Sequence, residues 1–144
     1  MITKIPTTHY LTCGSSEGST TRNSLDGAFL AARIGNVNPI RTSSIVPPGS
    51  RLVEVRDLPQ GALVPVVYAF VSSTVPGELI SAGIAVAYPE DDRHPGVVME
   101  YASQGHKEDI EAIARCMAEK GLKIRGQEVK DILSISVQHK VERT

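Results

Sequence analysis

The stretch Gly35-Asn36-Val37-Asn38-Pro39-Ile40-Arg41-Thr42-Ser43-Ser44-Ile45-Val46-Pro47-Pro48-Gly49 limits the fold more than any other part of the chain. It starts at a glycine suited to stopping a helix, continues as an extended segment and ends in a double proline that cannot donate to a pairing ladder. On the two-residue period of a strand, Asn38, Ile40, Thr42, Ser44 and Val46 share one face. Two hydroxyls and an amide on that otherwise apolar face need partners, because a buried polar group without a hydrogen bond is costly. Two explanations stand side by side. The hydroxyls bond to neighbouring backbone, as in any half-buried strand, or Ser44 is chemically altered.

A chain of 144 residues, 41% hydrophobic and 22% charged, suits one globular domain with a real core. Fifteen basic and sixteen acidic residues are well mixed and give a formal net charge of −1, which argues against nucleic-acid or membrane-surface partners. Met1 to Pro6 lack the charged start and apolar core of a secretory signal. The longest apolar run, Ala62 to Val71, is too short for a bilayer and contains Pro65. Cys13 and Cys116 are far apart without a CxxC partner, so two buried, reduced thiols in a cytoplasmic protein are expected, with neither disulfide nor metal. His9, His94, His106 and His139 show no ligand spacing and are expected in solvated or capping roles.

Residues 9–13 read as a short strand, and 14–21 as a loop with neither a Walker lysine nor a GxGxxG pattern. Asn23 or Ser24 is placed to cap a helix running to about Ile34, with Leu25, Phe29, Leu30 and Ala32 on its apolar side. Asp26 falls in its dipole-favoured first turn, and Gly35 serves as its left-handed stop. Leu52 to Val55 make a brief strand and Ala62 to Thr74 a long one. Leu79 to Tyr88 and Val97 to Tyr101 form a hairpin around a charged loop. Glu100 shares a strand face with Val98 and Ala102, which puts a carboxyl among apolar neighbours unless it points to water at an edge. A helix from about Lys107 to Lys120 buries Ile110, Ile113, Ala114, Met117 and Ala118 and stops at Gly121. Asp131 to Val141 close the chain as a strand. The sum is one α+β domain over residues 1–144, a mainly antiparallel β-sheet sandwich covered by two helices in an αββα arrangement.

Taken in order, a set of motifs resembles the pyruvoyl-dependent arginine decarboxylases. They are Gly14-Ser15-Ser16-Glu17-Gly18, Leu25-Asp26-Gly27-Ala28, Ile34-Gly35-Asn36-Val37-Asn38, and Ser43-Ser44-Ile45 with Pro47-Pro48. Further on come Leu58-Pro59-Gln60-Gly61-Ala62-Leu63-Val64-Pro65, Val75-Pro76-Gly77-Glu78, Met99-Glu100-Tyr101 and Arg125-Gly126. The resemblance implies self-cleavage between Ser43 and Ser44 into a β chain (1–43) and an α chain (44–144), with Asn38 assisting. Ser44 then becomes a covalent pyruvoyl group, the cofactor on which an amino acid forms a Schiff base and loses carbon dioxide. Glu100 corresponds to the proton donor, a role helped by the raised pKa of a carboxyl on an apolar face. Asp26 corresponds to the carboxylate that receives a guanidinium, and Phe29, Gly35 and Val37 to walls of the same pocket. L-Arginine as substrate, agmatine as product, a place in polyamine synthesis and a homotrimer follow from the same resemblance.

Six steps separate Asn38 from Ser44, about 20 Å along a straight strand, so one strand cannot bring both to one pyruvoyl group. Either the chain bends near Pro39 or the site lies between protomers, and the second is expected. Asp26, Gly35, Val37 and Asn38 of one subunit would then face Ser44 and Glu100 of another. In two places the chain departs from the family: Arg22 replaces an apolar pocket-edge residue four positions before Asp26, and Val141-Glu142-Arg143-Thr144 stand where an apolar, alanine-rich tail usually follows. Arg22 either pairs with Asp26, which favours another amino-acid substrate, or lies outside the helix in solvent. An oligomeric paralogue that never processes is the further alternative.

Overall fold

The computed structural model describes residues 4–143. Along the chain run β1 (Thr8–His9), α1 (Thr21–Ala31), β2 (Asn38–Arg41), β3 (Ile45–Val46), β4 (Arg51–Leu52) and β5 (Leu63–Val66). After them come β6 (Leu79–Pro89), β7 (Gly96–Gln104), α2 (Lys107–Ile124) and β8 (Val129–Lys140). The protein is α+β, one domain built on an antiparallel sheet of order β3-β7-β6-β8 with two helices. Outside that sheet the pairing differs from the expectation: β1–β4 and β2–β5 are short parallel ladders. Strands separated by long connections rather than tight turns are free to pair in parallel, and hydropathy alone does not register which way they run.

Period-two alternation sorts the long strands onto two faces. Ala85, Ala87 and Val97 meet Ala114, Ala118 and Leu122 of α2, all fully buried, with Met99, Val129 and Ile132 packed around them. On the opposite face Val86 and Val98 join Val46, against Leu11, Val67, Ile84 and Tyr88. Small residues let α2 lie close. A Cβ on Gly121 would sit 2.8 Å from the Val97 Cγ1. Gly121 therefore does not stop the helix; the stop is Gly126, at φ +72°. Ile113, expected on the buried stripe, is 40% exposed.

Several other expectations are corrected. Helix α1 starts earlier than Asn23, because the Thr20 hydroxyl accepts the Asn23 N–H at 3.1 Å and caps it. Asp26 is thus beyond the first turn, and the helix dipole no longer accounts for it. The left-handed residue after α1 is Arg33 (φ 66°), tied to Asp57 at 3.0 Å, whereas Gly35 is small because a Cβ there would lie 2.5 Å from Leu30. Ala62 to Thr74 is not one strand. Only Leu63–Val66 pairs, and Pro65, lacking an N–H, suits an edge strand. Both cysteines are exposed rather than buried, Cys13 in the loop after β1 and Cys116 on the outer side of α2. His9 and His139 are not solvated. His9 exchanges hydrogen bonds with Ser50 Oγ (2.8 Å) and the Tyr88 hydroxyl (2.7 Å), and His139 bonds to Glu17. Among the described residues no helix is long and apolar enough to cross a membrane.

Candidate active site

Residues 38–46 do not share one strand. Asn38 to Arg41 pair with Leu63 to Val66, and Thr42 still donates its N–H to the Val66 carbonyl at 2.8 Å. The chain then changes sheets: the Ser44 carbonyl accepts the Val98 N–H at 2.9 Å, and Ile45 and Val46 pair with Val97 and Gly96 of β7. The turn falls at 42–44, downstream of Pro39, so the Ser43–Ser44 peptide sits where one ladder has ended and the next has just begun. Ser43 is exposed and Ser44 half-buried.

β3 runs antiparallel to β7, so the residues upstream of Ser44 head in the direction of Glu100. Glu100 stands two places beyond Val98 on the same face, paired across the sheet with Ile84. Its Oε2 is buried and has no hydrogen-bond partner among the described residues. Burial pushes the Glu100 carboxyl above the usual carboxylate range, and the Arg41 guanidinium pulls in the other direction. Arg41 is held on Tyr68, with its Cζ 4.3 Å from the ring centroid and Nη2 donating to the Tyr68 carbonyl at 2.6 Å. Sequence reasoning missed Arg41. The only signal for it was its place three residues before Ser44.

The other sequence-predicted residues gather elsewhere. Asn38 is exposed at the far end of β2 from Arg41, its Nδ2 donating to the Gly61 carbonyl at 3.0 Å. Asp26 is exposed on α1, and Gly35 and Val37 lie half-buried in the turn that follows. Arg22 lies inside α1, not before it, and forms no ion pair with Asp26. Phe29 meets Tyr68 edge-to-face at 5.6 Å and so touches the ring on which Arg41 rests. Within one chain, Ser44 lies next to β7, which carries Glu100, whereas Asp26 stands on α1 and Asn38 is tied to Gly61. A cavity of about 340 Å³ opens between α1 and the β6–β8 edge, lined by Arg22, Leu25, Phe29, Ser81 and His139. Of the sequence-predicted site residues it contains Phe29 alone. No metal-binding group of His, Cys, Asp and Glu exists among the described residues.

A profile of the pyruvoyl-dependent arginine decarboxylases matches residues 8–144. The chain belongs to that family. It is 50% identical over 140 residues to the pyruvoyl-dependent arginine decarboxylase of Methanocaldococcus jannaschii, covering 97% of this chain and 85% of that protein. The protein of the same description from Methanococcus maripaludis is 41% identical over 137 residues, covering 95% and 84%. That from Pyrococcus abyssi is 38% identical over 126 residues, covering 86% and 79%. Enzymes of the pyruvoyl-dependent arginine decarboxylase family depend on a pyruvoyl group. The residues here fit such a group. Ser44 is half-buried beside a strand that carries a buried carboxyl oxygen with no partner of its own among the described residues.

Proposed function

We propose that the chain cuts itself between Ser43 and Ser44 and, as an enzyme, decarboxylates L-arginine to agmatine and carbon dioxide. The supporting observation is the change of sheets at 42–44, which leaves the Ser43–Ser44 peptide outside both ladders and next to β7, which carries Glu100. In the cut, the Ser44 hydroxyl oxygen attacks the Ser43 carbonyl carbon and the amide becomes an ester. Elimination frees residues 1–43 with a new carboxylate, and hydrolysis of the remaining dehydroalanine expels ammonia to leave the pyruvoyl ketone. Asn38 assists at this step. Once present, the ketone supplies a sink for the electrons left behind by carbon dioxide.

Glu100 supplies the proton that completes turnover, and its burial keeps it protonated further towards neutrality than an exposed carboxyl. Asp26 receives the substrate guanidinium, with Phe29, Gly35 and Val37 as walls. Among the described residues Asp26 forms no ion pair, with Arg22 or any other, which leaves its carboxylate for a substrate guanidinium and supports arginine over other amino acids. The two groups of residues belong to one site between protomers: Asp26, Gly35, Val37 and Asn38 of one meet Ser44 and Glu100 of the next, a heterologous contact that closes into a trimer. Within each protomer the β1–β4 and β2–β5 ladders form the second layer of a sandwich, supported by Leu11 and Val67 against the sheet. Two exposed free thiols suit the reducing cytoplasm.

Intact mass and amino-terminal sequencing of purified protein test the cut. The expected result is two fragments, the larger beginning at residue 44 and blocked to Edman chemistry. Carbon dioxide release over a panel of amino acids tests the substrate, with arginine expected to lead. A single full-length chain that is fully active would overturn the proposal.

A further inference from the structure

The loop Gly14-Ser15-Ser16-Glu17-Gly18 lies along α1 with no room for side chains at its glycines. A Cβ on Gly14 would stand 2.5 Å from the Ala28 carbonyl oxygen, and one on Gly18 2.5 Å from the Ser24 nitrogen. From the helix side, a Cβ on Gly27 would overlap Ser16 Oγ. Such close approaches at three points make loop and helix one body. Leu25, Ala28 and Phe29 of α1 border the cavity of about 340 Å³, so a packed core does not seat the helix there. A carboxylate fastens it instead. Glu17 bonds to His139 Nε2 and accepts the backbone N–H of Arg143 at 2.7 Å and of Glu142 at 3.3 Å. Its side chain is 17% exposed. Among the described residues 14–31, no other group hydrogen-bonds to residues 44–143. Phe29 adds its edge-to-face contact with Tyr68. Asp26 belongs to the same body, next to Gly27.

We propose that Glu17 is a positioning residue for substrate recognition: by tying the loop and α1 to the end of β8, it fixes where the Asp26 carboxylate stands. This rests on the reading of Asp26 as the group that receives the guanidinium. A two-pronged pair between carboxylate and guanidinium tolerates little displacement. Such a group keeps its place only when the residues behind it are themselves locked. The Glu17 bonds are charge-assisted and largely shielded from water, which suits them to that task. Glu17 precedes the proposed cut, while His139, Glu142 and Arg143 follow it. The same bonds therefore keep α1 on the larger fragment after processing.

The test is steady-state carbon dioxide release from arginine by processed enzyme, with Asp26→Asn as the reference. Glu17→Gln should raise KM about tenfold and leave kcat within about twofold, the pattern of lost binding rather than lost chemistry. Asp26→Asn should raise KM at least as much. Adding Glu17→Gln to Asp26→Asn should raise it by less than about twofold more, because both act through one contact. Leu122→Ala, which destabilises the α2 side, should leave KM where it is, so loss of stability alone does not imitate the effect. An unmoved KM in Glu17→Gln, with KM raised in Asp26→Asn, overturns the proposal. So do effects of the two substitutions that multiply in full. If Asp26→Asn itself leaves KM unmoved, the reading of Asp26 falls and the proposal falls with it. If Glu17→Gln does not fold, His139→Phe removes one of the three bonds and should raise KM about threefold; an unmoved KM is then the overturning result.

Discussion

Two glutamates on opposite sides of one sheet are treated in opposite ways. Glu111, on α2, accepts hydrogen bonds from Ser136 Oγ at 2.6 Å and Ser134 Oγ at 2.8 Å, and Arg115 also donates to Ser134. Those hydroxyls, Ser136 first and then Ser134, hold the Glu111 carboxyl below the usual range. Glu100, on β7, has a buried oxygen with no partner among the described residues, and burial holds it above that range. The α2 side is a finished surface of fully buried alanine, valine and leucine that clamps a helix. The other side is built from two-residue strands and short parallel ladders, and it leaves a polar atom unsatisfied. A buried polar group without a partner is a cost that folds avoid, and among the described residues it falls on the Glu100 side of the sheet.

The contrast is open to attack by mutation. Ser44→Ala carries the largest effect: one uncut chain by intact mass and complete loss of carbon dioxide release. Glu100→Gln should still be cut, but turnover should fall about 100-fold or more, as expected when a general acid is removed. If Glu100→Gln blocks the cut instead, the role given to Glu100 is wrong. On the opposite face Leu122→Ala, emptying a fully buried position, should cost about 2–5 kcal/mol in urea unfolding. Processing and turnover in the folded fraction should be unchanged. Glu111→Gln should cost about 1 kcal/mol of stability with no change in kcat.

The pH dependence of stability sharpens the same comparison, because the two carboxyls carry opposite signs. Glu111 has a folded pKa below its reference of 4.5, so its contribution is present above that pH and is lost as pH falls through the folded value. Glu100 has a folded pKa above 4.5, so its contribution is full below that pH and is lost as pH rises through the folded value. Relative to wild type, Glu100→Gln should gain stability as pH rises from about 4.5, and Glu111→Gln should lose its disadvantage in acid. Urea midpoints across pH for both variants check this, and parallel curves would remove the distinction between the two faces.

The antiparallel core was legible because alternation in Leu79 to Tyr88 and Val97 to Tyr101 is a local signal that survives into the fold. Glu100 among apolar neighbours was legible for the same reason. The second layer was not. Residues 62–74 read as one strand because the hydrophobic run is continuous, but which part pairs depends on β2, more than twenty positions upstream. The double role of 38–46 was hidden because a period-two pattern does not say when a chain passes from one sheet to another. Arg41 was hidden because its contact, the ring and carbonyl of Tyr68, lies 27 positions away in sequence.

The change of sheets at 42–44 also bears on what the cut does to the molecule. Upstream, Thr42 is fastened to Val66; downstream, Ser44 is fastened to Val98. A break between these two anchorages severs a bridge after both banks are secured. The proposed cut would then leave each new end fastened to its own ladder, so that the chain can be broken there without loosening either sheet.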